Sequence, residues 1–267
     1  MQEIISTNNA RIKYLVQLKK KSSVRRSFKE FVIEGVREIK AALANHHHIK
    51  TLYFNPELFP ESKLFELLKR SSQKIEIVKI NSNVYKKIAY RHSTEGIIAL
   101  AKMKNHDLAH FQPGKNPLIL VAENIEKPGN IGAMLRSADG AGATGLLLVN
   151  PVTDLYNPNL IRASIGTVFS VPTAVCNLEE LEVFLQKNKI KMYAANLQNA
   201  NLYFEENYTS PTAIAVGAED KGLSEDIRKI AYRSVYIPMK GQTDSLNVSV
   251  SAAVLLYEAL KQRLTNT

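Results

Sequence analysis

The feature that most constrains the fold is a series of six short apolar runs in the second half of the chain. Most of these runs are apolar on both faces, which is typical of strands in a parallel sheet that helices cover on both sides. Helical segments lie between several of them, and residues 248–264 are predicted to form a long amphipathic helix. The pattern predicts a doubly wound α/β domain. The six predicted strands are residues 118–122, 145–149, 170–175, 192–196, 213–216 and 235–239.

A second, smaller α/β unit is predicted to precede this domain, because short strands and helices alternate from residue 31 to residue 101. The segment that follows, up to residue 117, contains two prolines, a glycine and many polar residues. This composition indicates a linker. We therefore divide the chain into a first domain of residues 1–104, a linker of residues 105–117 and a second domain of residues 118–267.

The excess of positive charge in the chain lies entirely in its first part. Residues 1–110 carry 21 Lys and Arg against 10 Asp and Glu, whereas the remaining residues carry 14 against 15. A basic module joined to a neutral one suggests that the first part binds a polyanion, and nucleic acid is favoured over a membrane. The densest cations lie in the segment from residue 19 to residue 26, where we expect RNA to bind. They are Lys19, Lys20, Lys21, Arg25 and Arg26.

The composition also excludes several classes of protein. The longest apolar runs are far too short to cross a bilayer. Cys176 is the only cysteine, so the chain forms no intrachain disulfide. Because the first residues lack the pattern of a secretory signal, we expect a cytoplasmic protein with no membrane partner. His46, His47 and His48 are adjacent, but three neighbouring side chains do not easily converge on one ion, so we expect a surface loop there and no metal site.

Three glycine-bearing polar loops follow predicted strands of the second domain, at residues 123–136, 217–224 and 240–249. Ligands of open α/β sheets bind beyond the carboxyl ends of the strands, so these loops form one site if their strands are neighbours. In the first loop, Asn130 is a candidate cap for the helix that follows, and Arg136 lies about two turns inside that helix. The glycine spacing does not fit a dinucleotide fingerprint, and no Walker lysine motif occurs.

Each loop contains a motif: Asn130-x-Gly132-x-x-x-Arg136-x-Ala138, Gly217-x-Glu219-x-x-Gly222-Leu223, and Ile237-Pro238-Met239-x-Gly241 continuing to Ser245-Leu246-Asn247-Val248-Ser249-Val250. Together they resemble motifs 1, 2 and 3 of the SpoU/TrmH family, which are SPOUT-superfamily RNA 2′-O-ribose methyltransferases. The resemblance covers about residues 118–264. The basic first part is similar to the substrate-binding domain of many members, a fold shared with small ribosomal RNA-binding proteins.

The resemblance implies a deep trefoil knot, S-adenosylmethionine as the cofactor and a homodimer built around the C-terminal helix. It implies that Arg136 is the catalytic residue, in a site completed by Asn130, Glu219, Ser245 and Asn247. It also implies that Arg162 contacts a phosphate of the target RNA. The residues expected to bind the cofactor, largely through backbone groups, are Asn196, Leu197, Gly217, Ile237 and Leu246.

The chemistry expected of such a site is activation of a ribose 2′-hydroxyl, which is a poor nucleophile at neutral pH. No histidine occurs after His110, and an arginine is too basic to accept a proton readily. We therefore expect Arg136 to act with the target phosphate, polarising the hydroxyl and stabilising developing negative charge. The expected substrate is large-subunit rRNA. The alternatives are a tRNA 2′-O-methyltransferase, a non-catalytic RNA-binding ribosome assembly factor, and an α/β enzyme acting on a small acidic substrate.

Overall fold

The computed structural model describes residues 2–69, 71–90 and 95–265. The chain forms two compact units. The first consists of Met1–Asn105 and Asp154–Ser170, and the second of His106–Thr153 and Val171–Thr267. Within the described ranges, no helix is both long and apolar enough to span a bilayer.

The first unit is built around a five-stranded sheet with the strand order β1-β4-β3-β5-β2. β1, β4 and β3 are parallel to one another, whereas β5 runs antiparallel to both of its neighbours. The alternation of strands and helices predicted from residue 31 onwards is present. The elements are β1 (Gln2–Ile4), α1 (Ala10–Lys20), α2 (Ser22–Phe28), β2 (Glu30–Glu34), α3 (Val36–Ala44), β3 (Ile49–Phe54), α4 (Glu61–Leu68), β4 (Glu76–Ile80), α5 (Ser82–Ile88) and β5 (Ile97–Lys102).

The second unit contains a seven-stranded, fully parallel sheet with the order β10-β12-β9-β11-β6-β7-β8. Every residue of its central strands β6, β7 and β11 is buried, which explains why these runs are apolar on both faces. The elements from residue 118 onwards, with α7 belonging to the first unit, are β6 (Leu118–Glu123), α6 (Pro128–Gly140), β7 (Gly145–Val149), α7 (Pro158–Ser164), β8 (Thr173–Cys176), α8 (Leu178–Lys187), β9 (Lys191–Ala195), β10 (Ala200–Leu202), β11 (Thr212–Val216), α9 (Glu225–Ile230), β12 (Arg233–Tyr236) and α10 (Val248–Thr265).

The segment predicted as a linker is packed in the second unit. The His106 carbonyl accepts a hydrogen bond from the Val175 backbone N–H at 2.7 Å, which extends the sheet edge at β8. Phe111 is buried against the ring of Phe184, with 5.8 Å between ring centroids. The proline and glycine content therefore correctly identified an irregular segment. However, Phe111 anchors that segment to the core of the second unit, so it is not a free linker.

Residues 154–170 lie within the sequence of the second domain and yet pack in the first unit. Asp154 accepts two hydrogen bonds from the guanidinium of Arg25, at 2.6 and 3.1 Å. The ring of Tyr156 lies 4.1 Å from that of Phe31, and Phe169 packs on Phe31 and on His47. The first unit is thus discontinuous in sequence, and a fragment that ends at residue 104 lacks part of it.

Two expectations for the first unit are wrong. The cation-rich segment is mostly helical and spans the end of α1 and most of α2. Within it, Arg25 is only 2% exposed and also donates to the Leu18 carbonyl, so its guanidinium is not available to RNA. His46 and His48 are exposed in the loop between α3 and β3, as expected, but the side chain of His47 is buried against Phe169.

The buried ion pair generates a prediction about stability. Asp154→Asn leaves the Arg25 guanidinium buried without its counter-charge, so we expect the free energy of unfolding of the first unit to fall by about 3 kcal/mol. Urea unfolding of the full chain measures this. The control is Asp220→Asn, which makes the same change at an exposed position. A loss below about 1 kcal/mol, typical of a surface ion pair, would contradict the prediction.

Candidate functional site

A cleft of about 670 Å³ opens at the carboxyl-terminal edge of the parallel sheet in the second unit. Its walls come from the segments that follow the strands β9, β11 and β12 and from the start of α10. These three strands are neighbours in the sheet, with β9 between β11 and β12, so their loops meet at one edge. The sequence predicted a site from the loops after β6, β11 and β12; the last two line the cleft, whereas the first reaches it through Lys127. Eight of the ten residues predicted for catalysis and cofactor binding line this cleft: Asn196, Leu197, Gly217, Glu219, Ile237, Ser245, Leu246 and Asn247.

The loop after β11 closes on itself, and its two glycines make this possible. The Gly222 N–H donates to the Ala218 carbonyl at 2.8 Å, and Gly222 has a φ of +65°, which favours glycine. At Gly217, an added Cβ would come within 2.2 Å of the Gly222 carbonyl carbon and oxygen. A side chain at residue 217 would therefore open the loop, so the spacing of these two glycines fixes the shape of one cleft wall.

The buried carboxylate of Glu123 anchors the same loop to the end of β6. Glu123, at the end of β6, is 3% exposed and accepts hydrogen bonds from the Ser224 backbone N–H at 2.7 Å and from its hydroxyl at 2.6 Å. The Ser224 hydroxyl in turn accepts from the Ile227 N–H and caps α9. Sequence reasoning missed Glu123, although a lone acidic residue that ends a fully apolar strand is a recognisable signal.

Asn130 joins the first motif to the other two through its side chain. Its amide donates a short hydrogen bond to Glu219 Oε1, and its carbonyl oxygen accepts from Asn247 Nδ2 at 3.4 Å. Asn247 Oδ1 accepts from the Ser249 N–H at 2.9 Å, at the start of α10. The predicted capping role of Asn130 is wrong: α6 begins at Pro128, with Lys127 at the N-cap position and without a side-chain cap. The side chain of Asn130 is therefore directed to the site.

Arg136 lies apart from the cleft that its own chain forms. It is exposed on α6, and within the described part of the chain it makes no hydrogen bond or ion pair and is not among the residues lining the cleft. Of the predicted catalytic set, Glu219, Ser245 and Asn247 lie in the cleft and Asn130 contacts two of them. Arg136 alone is left without a contact to the group.

Three cations that sequence reasoning missed line the cleft: Lys127, Lys221 and Arg228. Arg228, on α9, lines the cleft and donates from Nη1 to Gln198 Oε1 at 3.1 Å. Its Nε donates to the Ser224 carbonyl at 3.4 Å, so it links the loop after β9 to the loop after β11. Arg228 lies five residues after Leu223, the last residue of the second motif, in the short helix α9, and nothing in the sequence distinguishes it from a surface arginine.

The cations predicted to bind RNA lie in the first unit and differ in their exposure to solvent and in their ion pairs. Lys20, Lys21 and Arg26 are exposed. Lys19 is half-buried, and its ammonium contacts Glu34 at 3.1 Å, with burial lowering the pKa of Lys19 despite that carboxylate. Arg162 is exposed, with its guanidinium 4.8 Å from the ring centroid of Tyr90. Four of the six predicted cations thus remain accessible to a polyanion.

The model of the SpoU rRNA methylase family matches residues 117–257, more than half of the chain. The chain belongs to the SpoU rRNA methylase family. The resemblance inferred from the three motifs is confirmed. An MRM3-like substrate-binding domain matches residues 9–99, which confirms the small α/β domain expected before the catalytic one.

Relatives and solved structures agree with this membership in the SpoU family. A 23S rRNA (uridine(2479)-2′-O)-methyltransferase of Streptomyces viridochromogenes is 28% identical over 98% of this chain and 93% of its own. A tRNA (guanosine(18)-2′-O)-methyltransferase of Thermus thermophilus is 40% identical, but over 55% of this chain and 76% of its own.

Several crystal structures match the whole fold, including those of two methyltransferases. One is an RNA 2′-O ribose methyltransferase, 40% identical, with a TM-score of 0.85 over 98% of this chain and 100% of its own. The other is the SpoU methyltransferase AviRb from Streptomyces viridochromogenes in complex with the cofactor AdoMet. It is 27% identical, with a TM-score of 0.89 over 97% of this chain and 99% of its own. The predicted α/β architecture of a SpoU methyltransferase is confirmed.

The Glu123 anchor gives a prediction that needs no ligand. Both carboxylate oxygens of Glu123 accept a hydrogen bond from Ser224. In Glu123→Gln one of these oxygens is replaced by an NH2 group, which cannot accept, so one of the two hydrogen bonds is lost. We expect the free energy of unfolding to fall by about 1 to 3 kcal/mol. We also expect the Ser224 amide hydrogen to exchange faster. Hydrogen exchange with mass spectrometry measures the local change, and Glu126→Gln, an exposed neighbour, is the control. Unchanged protection of residues 217–227 would contradict the assigned role of Glu123.

Proposed function

We propose that this protein transfers a methyl group from S-adenosylmethionine to the 2′-hydroxyl of a ribose in large-subunit rRNA. The observation that carries the proposal is the convergence of the second and third motifs on one cleft, in a chain that belongs to the SpoU family. The basic first unit supports RNA as the substrate. The relative that matches over nearly the whole chain, a 23S rRNA enzyme, supports rRNA rather than tRNA.

The residues of the cleft fit the proposed cofactor. Three apolar side chains, Leu197, Ile237 and Leu246, border the cleft and suit a flat heterocycle. The glycine at residue 217 lets a ligand approach the main chain closely, so backbone N–H and C=O groups supply the polar contacts. When bound there, S-adenosylmethionine supplies an electrophilic methyl group on its sulfonium sulfur.

The chain itself has to orient the ribose and stabilise charge on the attacking oxygen. Arg136 carries five N–H donors and stays protonated at neutral pH, so it is suited to bind the target phosphate and the developing oxyanion. Asn130, Glu219 and Asn247 form the hydrogen-bonded group that holds the first motif against the other two. In this proposal Ser245, exposed at the cleft, contacts the substrate directly.

We further propose a trefoil knot in the second unit and a cytoplasmic protein. After β12 the chain runs past the loop of residues 217–223, which borders the same cleft. It then enters α10, which packs chiefly against α6, β11 and β6. This path supports threading of the C-terminal stretch through a loop, as the resemblance implies.

The last part of the proposal is an isologous homodimer in which Arg136 serves the cleft of the partner. One face of α10, including Ala252, Leu256 and Ala259, is buried in its own unit, whereas another face exposes Val250, Tyr257 and Leu264 by 46%, 50% and 70%. An exposed apolar stripe of this kind suits a two-fold contact. The exposed position of Arg136, outside its own cleft, supports a shared site.

The first test is of catalysis. Arg136→Lys keeps the charge and loses the planar, bidentate donor geometry, so we expect methyl transfer to fall by about 100-fold while cofactor affinity stays unchanged. Transfer from labelled S-adenosylmethionine to unmethylated 23S rRNA and to tRNA measures the rate and the substrate. Arg233→Lys, at an exposed position outside the cleft, is the control. Near-normal turnover of the Arg136 variant would remove it from the mechanism. Transfer to tRNA alone would contradict the rRNA assignment.

The second test is of the shared site. We mix an Arg136→Ala protomer with a Leu246→Arg protomer, whose cofactor cleft is blocked. If each site combines the cleft of one chain with Arg136 of the other, a mixed dimer has one complete site, and an equimolar mixture recovers about a quarter of normal activity. If each site instead uses the cleft and the Arg136 of one and the same chain, no chain in the mixture has a complete site, and the mixture stays inactive. Sedimentation of the unmodified protein is the companion measurement, and a fully active monomer would overturn the dimer.

A further inference from the structure

A cavity of about 750 Å³ lies between α3 and α4 of the first unit, away from the cation-rich segment that the sequence singles out. Its floor is apolar and consists of Val36 and Leu43 from α3 and of Phe59 and Leu67 from the region of α4. Phe59 and Leu67 are buried, whereas Val36 and Leu43 are half-buried. The floor thus presents aliphatic and aromatic carbon to whatever occupies the cavity.

Three lysines form the rim of this cavity: Lys40 from α3, Lys63 from α4, and Lys69 just after α4. All three are exposed. Among the residues that the structure describes, none of their ammonium groups has an ion-pair or hydrogen-bond partner. By contrast, other lysines of the unit are paired: Lys50 with Glu30, and Lys79 with Glu61. Glu66 is the one carboxylate among the lining residues described.

An arrangement of three unpaired cations around an apolar floor is complementary to a ligand that is both anionic and flat. A small inorganic anion would satisfy the rim and leave the floor in contact with water. A nucleotide of a single-stranded RNA segment satisfies both, because its base covers apolar carbon and its phosphates lie at the lysines. The volume is in the range of small-molecule pockets and admits a base with its sugar.

We propose that this cavity is a contact site for an unpaired nucleotide of the RNA substrate and its flanking phosphates. We call it the groove below, and it is defined by Val36, Lys40, Leu43, Phe59, Lys63 and Lys69. The inference rests on the proposed function for the class of RNA, and it adds a location that the density of cations along the sequence does not indicate. The excess of positive charge in the first part of the chain, 21 Lys and Arg against 10 Asp and Glu up to residue 110, favours a polyanion over an acidic patch on a protein.

The test uses the full chain with the triple substitution Lys40→Gln, Lys63→Gln and Lys69→Gln. The matched control is Lys74→Gln, Lys86→Gln and Lys87→Gln, which removes the same charge from three exposed lysines of the same unit outside the groove. The probe is an unmethylated 23S rRNA transcript in filter binding. For the groove variant we expect affinity to fall by about tenfold or more, and the slope of log affinity against log salt to become shallower by about 2 to 3. The control should change affinity by less than about threefold.

A second pair of variants separates charge from folding. Ala44 is exposed at the end of α3 and lines the groove, so substitution there does not disturb the core. Ala44→Glu places a carboxylate among the lysines, whereas Ala44→Gln adds a neutral side chain of the same size. We expect Ala44→Glu to weaken binding of the transcript by about tenfold and Ala44→Gln to leave it nearly unchanged. An equal effect of the two would contradict recognition of an anion in the groove.

Kinetics distinguish this inference from the proposed function. The groove variant should raise the KM for rRNA by about tenfold and leave kcat and the affinity for S-adenosylmethionine unchanged. Absence of methyl transfer by the unmodified protein would refute the proposed function. The filter-binding measurements would still show whether the groove binds RNA. Equal losses of affinity for the transcript in the groove variant and the control variant would overturn the assignment of the groove as an RNA contact. So would a groove variant that loses affinity for anionic phosphatidylserine vesicles but not for the transcript, because it would identify a membrane surface instead.

Discussion

The parallel pairing of β9, β11 and β12 is the constraint on which the site depends. Parallel strands bring their carboxyl ends to one edge, so three loops that are separated along the sequence become the walls of one cleft. Hydrogen bonding in the sheet interior fixes the register of these strands, and therefore the relative height of the loops. The apolar side chains that bury β11 on both faces, and most of β9, thus help to determine where a ligand is bound, although none of those side chains needs to contact it.

Within that frame, a few polar contacts give the loops their shape. Glu123 holds Ser224 from beneath, and Asn130 links Glu219 to Asn247 across two motifs. The buried carboxylate of Glu123 must be paired, so its contact restricts the loop after β11 to one arrangement. The contacts of Asn130 lie at the surface of the cleft, where water competes for the same groups. Arg136 takes no part in this network. Its exposure is what a residue needs if it acts on RNA in a cleft formed by another copy of the chain.

The first unit shows how charge along a sequence can mislead about charge on a surface. Arg25 belongs to the densest cation cluster, and yet its guanidinium is buried and bound to Asp154, which lies far along the chain. That ion pair is part of what packs residues 154–170 in the first unit, and with them Arg162. Lys40, Lys63 and Lys69 are spread along the sequence, and the fold brings them around one groove.

The sequence by itself determined the α/β class, the identity of most elements and the family. Of the ten residues that it predicted for catalysis and cofactor binding, eight line the cleft. The sequence could do so because apolar periodicity and glycine spacing are local signals, and because the three motifs each lie on one continuous segment. Only the tertiary structure decided the roles of Glu123, Arg25, Arg228 and Asp154. Each of these acts through a partner on another segment, and a hydrogen bond or ion pair between distant residues leaves no periodicity in the sequence. The membership of residues 154–170 in the first unit has the same origin, since burial of Tyr156 and Phe169 depends on the surfaces that the fold brings to them.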